Sequence, residues 1–167
     1  HPELQGMGTT FSGLLVHRSQ IITAHIGDSR IYRVRAGEVT QITKDHSFVQ
    51  KLVDLGRITE AEALVHPRRS VLMRVLGGVQ GDPELEIALH DALPGDRWMM
   101  CSDGLSGVVP DEVMAKILAS NIPTEEAAEL LVGEALEHGA PDNVTVVITD
   151  VVRPTVKADF EPGAHFV

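Results

Sequence analysis

Short β-branched runs separated by turns constrain the fold of this chain more than any other feature. Four runs rich in Ile, Val and Thr fill its first 43 residues, at positions 9–17, 20–27, 30–36 and 39–43. Side chains of this kind favour strands. The Ala36-Gly37 turn predicts an antiparallel hairpin between the last two runs. Within the third run Arg33 alternates with Tyr32 and Val34, which predicts a strand with one face in water.

The pattern changes to helical spacing over residues 45–76. Apolar side chains between Phe48 and Leu55 predict a helix that stops at Gly56. The Thr59–Glu62 segment has the form of a capping box, which predicts the start of a second short helix.

Strands and helices alternate in the rest of the chain. Strands are predicted over residues 85–89, 97–101 and 143–152. Pro110 and the acids after it open one predicted helix, and a longer helix over 125–138 is expected to have Thr124 as its cap and Gly139 as its stop. This alternation predicts an α+β fold.

Composition excludes several classes of function. With 167 residues the chain is long enough for one domain with a real core, which we place at residues 1–154, followed by a tail at 155–167. A net charge of −10 excludes a nucleic-acid surface and an anionic membrane as partners. We expect no membrane segment in this chain. A single cysteine, Cys101, fits a reducing cytoplasm, and its apolar neighbours predict a buried structural thiol.

Three acidic tripeptides carry the strongest indication of chemistry. They are Gly27-Asp28-Ser29, Ser102-Asp103-Gly104 and Pro141-Asp142-Asn143, and each lies where a predicted strand meets a turn. The same tripeptides are also ordinary turn composition. If the fold gathers the three carboxylates at one end of a sheet, their repulsion calls for bound cations, and their hard oxygens suit Mg²⁺ or Mn²⁺.

Basic residues concentrate in and beside the 45–76 segment of this acidic chain. They are Lys44, His46, Lys51, Arg57, His66, Arg68, Arg69 and Arg74. They form either a docking face for a phosphorylated substrate, with His66 and Arg68 as candidate contacts, or an ordinary solvated helical face. Asn143 could donate to a phosphate oxygen, or simply orient its turn.

Six motifs in a fixed order resemble one known family. They are Gly6–Thr10, His25–Tyr32, Thr43–Ser47, His66–Ser70, Cys101–Leu105 and Pro141–Thr145. Together they resemble the metal-dependent Ser/Thr phosphatases of the protein phosphatase 2C (PPM) family, in particular bacterial members that oppose Ser/Thr kinases. The resemblance implies two stacked antiparallel β-sheets flanked by α-helices.

The resemblance also implies roles for individual residues. Asp103 and Asp142 match ligands of a central pair of Mn²⁺ or Mg²⁺ ions, and Asp28 matches a ligand of a third ion. Residues 45–76 match a mobile flap beside the active site. The implied reaction is hydrolysis of phosphoserine and phosphothreonine in protein partners, kinases included, by a water that bridges the two metals. We expect a cytoplasmic protein whose parent chain carries any membrane tether elsewhere.

The family's N-terminal motifs are absent from these 167 residues. The missing motifs are a phosphate-binding Arg, an acidic metal ligand, and an Asp-Gly-Met-Gly-Gly element with its catalytic His; Gly6-Met7-Gly8 matches a later motif instead. We therefore expect a fragment with no catalytic residue beyond its metal ligands, weak Mn²⁺ binding and little activity. The alternatives are a pseudophosphatase that binds phosphoproteins without turnover, and an unrelated structural β-sandwich with turn aspartates.

Overall fold

The structure is a computed structural model, and it describes residues 6–77 and 84–153. Its strands are β1 Gly8–Thr9, β2 Phe11–His17, β3 Gln20–Ile26, β4 Arg30–Arg35, β5 Glu38–Gln41, β6 Leu76–Gly77, β7 Glu86–Asp91, β8 Arg97–Cys101 and β9 Val146–Asp150. Its helices are α1 Phe48–Asp54, α2 Glu60–Leu64, α3 Asp103–Ser106, α4 Asp111–Leu118 and α5 Thr124–Glu137. The predicted α+β class is confirmed.

Antiparallel pairing arranges these strands into two main sheets. One has the order β2-β3-β7 and the other the order β5-β4-β8-β9, while β1 and β6 form a separate short ribbon. The predicted β4–β5 hairpin is confirmed, with Arg35 opposite Glu38 and positive φ angles of 52° at Ala36 and 82° at Gly37. Two positive φ values in a two-residue turn match the right-handed twist of the flanking strands.

Two apolar layers hold the fold together. Between the sheets, Ile21 of β3 packs with Ile31 of β4 and Trp98 of β8, all almost fully buried. On the other face of the four-stranded sheet, Tyr32 and other apolar residues pack against α3, α4 and α5. The four-stranded sheet is therefore the central layer of the described part, covered by a sheet on one side and by helices on the other.

The prediction that β4 has one face in water is wrong. Tyr32 and Val34 face the helices, whereas Ile31, Arg33 and Arg35 face the other sheet. The arginines are tolerated there because each has an interior contact. The Arg33 guanidinium lies 5.9 Å from the centre of the Trp98 ring, and Arg35 forms a double hydrogen bond with Asp96.

The predicted helices of the 45–76 segment are confirmed. Ser47 caps α1 by accepting from Gln50 N–H, and Gly56 follows its end with a φ of 62°. Thr59 and Glu62 form the predicted capping box at the start of α2.

The prediction for the longer helix needs one correction. Thr124 is the first residue of α5 and makes no side-chain cap, because the chain enters this helix from Pro123. The buried face of α5 is formed by Ala127, Leu131 and Ala135, whereas the apolar Leu136 is exposed. The predicted strand over 143–152 is also shorter, since β9 runs only from Val146 to Asp150.

No helix among the described residues is both long enough and apolar enough to cross a bilayer. The predicted tail, residues 155–167, and the first residues of the predicted 1–154 domain lie outside the described ranges.

The Arg35–Asp96 pair gives a test of the core between the sheets. Asp96 is 2% exposed and accepts from the Arg35 guanidinium at 2.8 and 2.7 Å and from Leu93 N–H at 3.0 Å. Burial alone would raise the pKa of Asp96, but these hydrogen bonds hold the pKa below its ordinary value. A lowered folded pKa means that the stabilisation is present above the unfolded pKa, about 3.9, and is lost as the pH falls through the folded pKa.

We predict that Asp96→Asn lowers the free energy of unfolding by about 2 kcal/mol at pH 7, and that the difference from wild type shrinks below about pH 4. Urea denaturation across this pH range measures it. Asp91→Asn is the matched control, because Arg35 contacts only the Asp91 backbone carbonyl. A difference between wild type and Asp96→Asn that stays constant down to pH 2 would contradict the prediction.

Candidate metal centre

Strand register brings the three acidic turns to one end of the sandwich. Arg30, the first residue of β4, lies opposite Cys101, the last residue of β8, and Cys101 also lies opposite Val146, the first residue of β9. The turn with Asp28 precedes Arg30, Asp103 follows Cys101, and Asp142 precedes Val146. The register therefore places the three chain segments at the same end of the four-stranded sheet.

Ser102 joins the turn that carries Asp103 to the turn that carries Asp142. Its amide donates to Thr145 O at 3.0 Å, and its hydroxyl accepts from Thr145 N–H at 3.0 Å. The same hydroxyl donates to Asn143 O at 3.2 Å. These bonds hold the loop that carries Asp142 against the start of α3, where Asp103 is the first helical residue.

Gly104 allows an unusually close approach of the two segments. A Cβ built on Gly104 would lie 2.2 Å from Asn143 O, a distance that no real side chain tolerates. Only glycine therefore permits this approach, and the approaching group is the backbone of the Asp142–Asn143 loop.

Asp28 and Asp103 are close enough to repel each other. The pKa of Asp28 is raised to about 6, first by burial and then by the negative charges of Asp103 and Asp45. Within residues 6–77 and 84–153, none of the three predicted ligands, Asp28, Asp103 and Asp142, pairs with a basic side chain. Asp103 and Asp142 are exposed to solvent, and Asp28 is half-buried.

These carboxylates fit a hard divalent cation in kind but do not amount to a full ligand set. Oxygen donors that repel each other and lack a counter-charge are suited to Mg²⁺ or Mn²⁺. However, the described part of the chain holds no group of three or more His, Cys, Asp or Glu side chains arranged to bind a metal. Asp142 turns one oxygen back to its own loop, where Oδ1 accepts from Asn143 N–H at 2.7 Å.

The sequence did not predict the partners of the Asp28 turn. Asp45 receives two hydrogen bonds of 2.9 Å from the Arg30 guanidinium, so this arginine is neutralised beside the acidic end. Thr10 packs under Gly27 and its hydroxyl lies 2.9 Å from that of Ser29. Asp45 lies within the Thr43–Ser47 motif, so the sequence marked this segment as one of interest. The motif does not show, however, that Asp45 pairs with Arg30.

The two flap residues predicted to contact substrate lie together. The Arg68 guanidinium stacks 3.8 Å from the centre of the Phe48 ring, and His66 lies 6.0 Å from the same ring. His66 Nδ1 accepts from Arg68 N–H at 3.0 Å. Within the described ranges no hydrogen bond or ion pair joins these two residues to Asn143 or to the acidic turns.

Fewer of the basic side chains in and beside residues 45–76 are free of acidic partners than the sequence suggests. His46 is buried, and its Nε2 lies 3.0 Å from Glu86. Lys44 pairs with Asp54 at 2.6 Å, and Arg74 pairs with Glu84 and Glu86. The basic side chains that lack an acidic partner among the described residues are Lys51, Arg57, His66, Arg68 and Arg69.

Cys101 is a structural thiol, as predicted. It is buried in the layer between the four-stranded sheet and the helices. Burial raises the pKa of its thiol to about 12, so it carries no nucleophilic thiolate at neutral pH.

Comparison with known proteins decides the family. The family described as Protein phosphatase 2C matches residues 2–144, which is most of the chain. The chain belongs to the protein phosphatase 2C family. The resemblance carried by the six motifs is thereby confirmed.

Curated members of the phosphatase 2C family are longer than this chain. The serine/threonine protein phosphatase PstP of Mycobacterium tuberculosis is 51% identical over 152 residues, which make up 90% of this chain and 29% of PstP. The serine/threonine phosphatase stp of Listeria innocua is 36% identical over 148 residues, or 89% of this chain and 58% of stp. The chain therefore spans less than two thirds of each relative.

Solved structures confirm the phosphatase 2C fold. A crystal structure of M. tuberculosis PstP superposes on this chain with a TM-score of 0.84 at 49% identity. The match covers 91% of this chain and 63% of the PstP chain in that structure. The catalytic domain of PstP in complex with two manganese ions superposes with a TM-score of 0.80 at 48% identity, covering 91% and 62%. Two stacked antiparallel sheets with flanking helices are thus the fold of this chain.

The contact at Gly104 generates a test of the site's architecture. We predict that Gly104→Ala destabilises the chain by about 1–3 kcal/mol and weakens any divalent-ion binding, because the new Cβ pushes the Asp142–Asn143 loop away from α3. Thermal denaturation and calorimetric titration with Mn²⁺ measure the two effects.

Gly133→Ala is the matched control for this substitution. Gly133 lies inside α5 with open space where a Cβ would stand, so alanine there should stabilise the chain by about 0.5–1 kcal/mol. Equal effects of the two substitutions would contradict the account of Gly104.

Proposed function

We propose that this chain supplies part of the active site of a metal-dependent serine/threonine protein phosphatase. The proposed reaction is hydrolysis of phosphoserine and phosphothreonine, opposing bacterial Ser/Thr kinases. The observation that carries the proposal is the Asp28–Asp103 end of the sandwich. There, in a chain of the phosphatase 2C family, carboxylates without basic partners among the described residues repel each other.

Asp103 and Asp142 are the proposed ligands of a central pair of Mn²⁺ or Mg²⁺ ions, and Asp28 is the proposed ligand of a third. When bound, such ions supply the positive charge and the activated water that phosphate-ester hydrolysis needs. The exposed carboxylates of Asp103 and Asp142 need little desolvation to bind a cation. The assignment of the half-buried Asp28 as a ligand is supported by its electrostatic repulsion with Asp103, which a bound cation would relieve.

Three residues are proposed to contact the phosphorylated substrate. The Arg68 guanidinium stacks on Phe48 through its face, which leaves the N–H groups at its edge available to phosphate oxygens. His66 accepts at Nδ1, so a neutral His66 carries its proton on Nε2 and can donate from there. The Asn143 backbone N–H donates to Asp142 and the Asn143 carbonyl accepts from Ser102, so its exposed side chain is left for substrate.

We assign residues 1–154 to a partial catalytic domain and residues 45–76 to its flap. The partners in this proposal are proteins phosphorylated on serine or threonine, kinases among them, and the compartment is the cytoplasm. The buried, protonated thiol of Cys101 is consistent with a reducing compartment.

Removal of one carboxylate tests the metal role. We predict that Asp103→Asn lowers Mn²⁺ affinity more than about tenfold, since a neutral amide is a poorer ligand than a carboxylate. Isothermal titration calorimetry measures the affinity. Asp111→Asn is the matched control, because Asp111 is also an exposed aspartate at the first position of a helix. Equal affinities in all three proteins would show that Asp103 has only a turn or helix-start role.

Turnover by residues 1–167 alone tests the role assigned to this fragment. We predict weak Mn²⁺ binding and little hydrolysis of a phosphothreonine peptide, because the family motifs that complete the metal and phosphate sites are not among these residues. Phosphate release during a Mn²⁺ titration is the measurement, and fast Mn²⁺-dependent hydrolysis would contradict it. If a parent chain with those motifs binds the peptide but does not hydrolyse it, the pseudophosphatase alternative is correct.

A further inference from the structure

Every polar group of His46 is engaged, and two of them hold Gly27. His46 N–H donates to Gly27 O at 2.7 Å, and Gly27 N–H donates to His46 Nδ1 at 3.1 Å. The His46 carbonyl accepts from Met73 N–H at 2.7 Å, and Nε2 lies 3.0 Å from Glu86 Oε1 and 3.2 Å from Arg74 Nη1. Because the His46 side chain is buried, water competes little for these bonds.

The bond from Gly27 fixes the form of the His46 ring. A backbone N–H can only donate, so Nδ1 must accept, and the proton of a neutral ring lies on Nε2. There it donates to the Glu86 carboxylate, and the Arg74 Nη1 group, which lies 3.2 Å from Nε2 and 3.4 Å from Glu86 Oε1, then donates to that carboxylate and not to the ring. A ring protonated on Nδ1 would lose the bond to Gly27.

Gly27 needs such an external partner. Its φ is +109°, a region where glycine is at ease and other residues are strained. A Cβ at Gly27 would meet the Thr10 side chain at 2.4 Å, so no larger residue can occupy this position. Glycine also loses the most conformational freedom on ordering, and neighbouring groups must therefore hold the turn.

His46 also lies where the two ends of the 45–76 segment pair with each other. We call this paired region, residues 46–48 and 71–73, the neck of the segment. The two chain ends of the segment pair there: Phe48 N–H donates to Val71 O at 2.8 Å, and Ser47 forms a bridge with Leu72. Met73 N–H then reaches the His46 carbonyl. His46 thus contacts Gly27 on one side and, through its carbonyl, Met73 on the other.

We propose that His46 is a positioning residue that holds the Gly27–Asp28 turn at the metal end and joins it to the neck of the flap. The proposal rests on the proposed function for the role of Asp28 as a metal ligand. The hold on the turn itself rests on the hydrogen bonds alone.

Two substitutions separate the two bonds of the His46 ring. In His46→Asn the amide oxygen falls near the position of Nδ1, so it keeps an acceptor for Gly27 N–H and loses the contact with Glu86. In His46→Gln the amide nitrogen reaches the position of Nε2, so it keeps the contact with Glu86 and loses the acceptor for Gly27. His90→Gln is the control, because His90 lies on β7 opposite Ile21, at the far end of β3 from Gly27.

Amide hydrogen exchange of the 167-residue chain, followed by NMR, measures the hold on the turn. We expect His46→Gln to speed exchange of the Gly27 amide about tenfold relative to the Ala24 amide of the same strand, as loss of one buried hydrogen bond requires. His46→Asn and His90→Gln should leave this ratio near that of wild type. In the wild-type protein, nitrogen chemical shifts should show the His46 proton on Nε2.

Calorimetry with Mn²⁺ on the same proteins measures the effect on the metal end. The expected loss of affinity is about 10–100-fold in His46→Gln and smaller in His46→Asn. An unchanged Gly27 ratio in His46→Gln, an equal change in both His46 variants, or a proton on Nδ1 would overturn the proposal. If the wild-type chain binds no Mn²⁺, the proposed function fails, while the exchange ratios still decide the assignment of His46.

Discussion

The pairing of β8 with β4 on one side and β9 on the other determines where every candidate ligand lies. Cys101 is opposite Arg30 and Val146, so three chain segments reach the same edge of the four-stranded sheet together. A shift of this register by one residue would reverse the two faces of β8, and Trp98 would leave the layer between the sheets. Packing of the core and placement of the acidic turns are therefore one and the same requirement.

The acidic end is built so that its charges remain available. Asp45 neutralises Arg30 with two hydrogen bonds, so the Arg30 guanidinium is paired with Asp45 and not with Asp28. Ser102 and Gly104 hold the Asp142 loop through its backbone, so the carboxylates of Asp103 and Asp142 are not used in that contact. Hydrogen bonds and close backbone packing therefore stabilise this end of the sandwich.

Local patterns in the sequence predicted most of the individual elements. The Ala36-Gly37 hairpin, the capping box at Thr59 and the stop at Gly56 depend on a few adjacent residues, and each is confirmed. The wet face of β4 was predicted wrongly because the arginine that fills it is paired with Asp96, which is distant in sequence. Periodicity reports polarity, and it does not report which polar groups find a partner inside.

The sequence predicted the candidate ligands of the site but not the hydrogen bonds that hold them in place. Asp28, Asp103 and Asp142 stand out because each follows or precedes a predicted strand, and the strands do bring those segments together. The contacts of His46 with Gly27 and of Ser102 with Thr145 join residues that are far apart in the chain. Nothing in the spacing of these residues shows that they meet, and only the register of the sheets does.

The central claim is that a divalent cation binds where the three acidic turns meet. Paramagnetic broadening by Mn²⁺ in the NMR spectrum of the 167-residue chain tests it most directly, because the effect is confined to nuclei near the ion. If the cation binds there, we expect the amide signals of residues 27–29, 103–104 and 142–144 to broaden first, at Mn²⁺ concentrations too low to affect the acidic first turns of α4 and α5. Broadening that begins in α4 or α5, or that is uniform over the chain, would contradict the account.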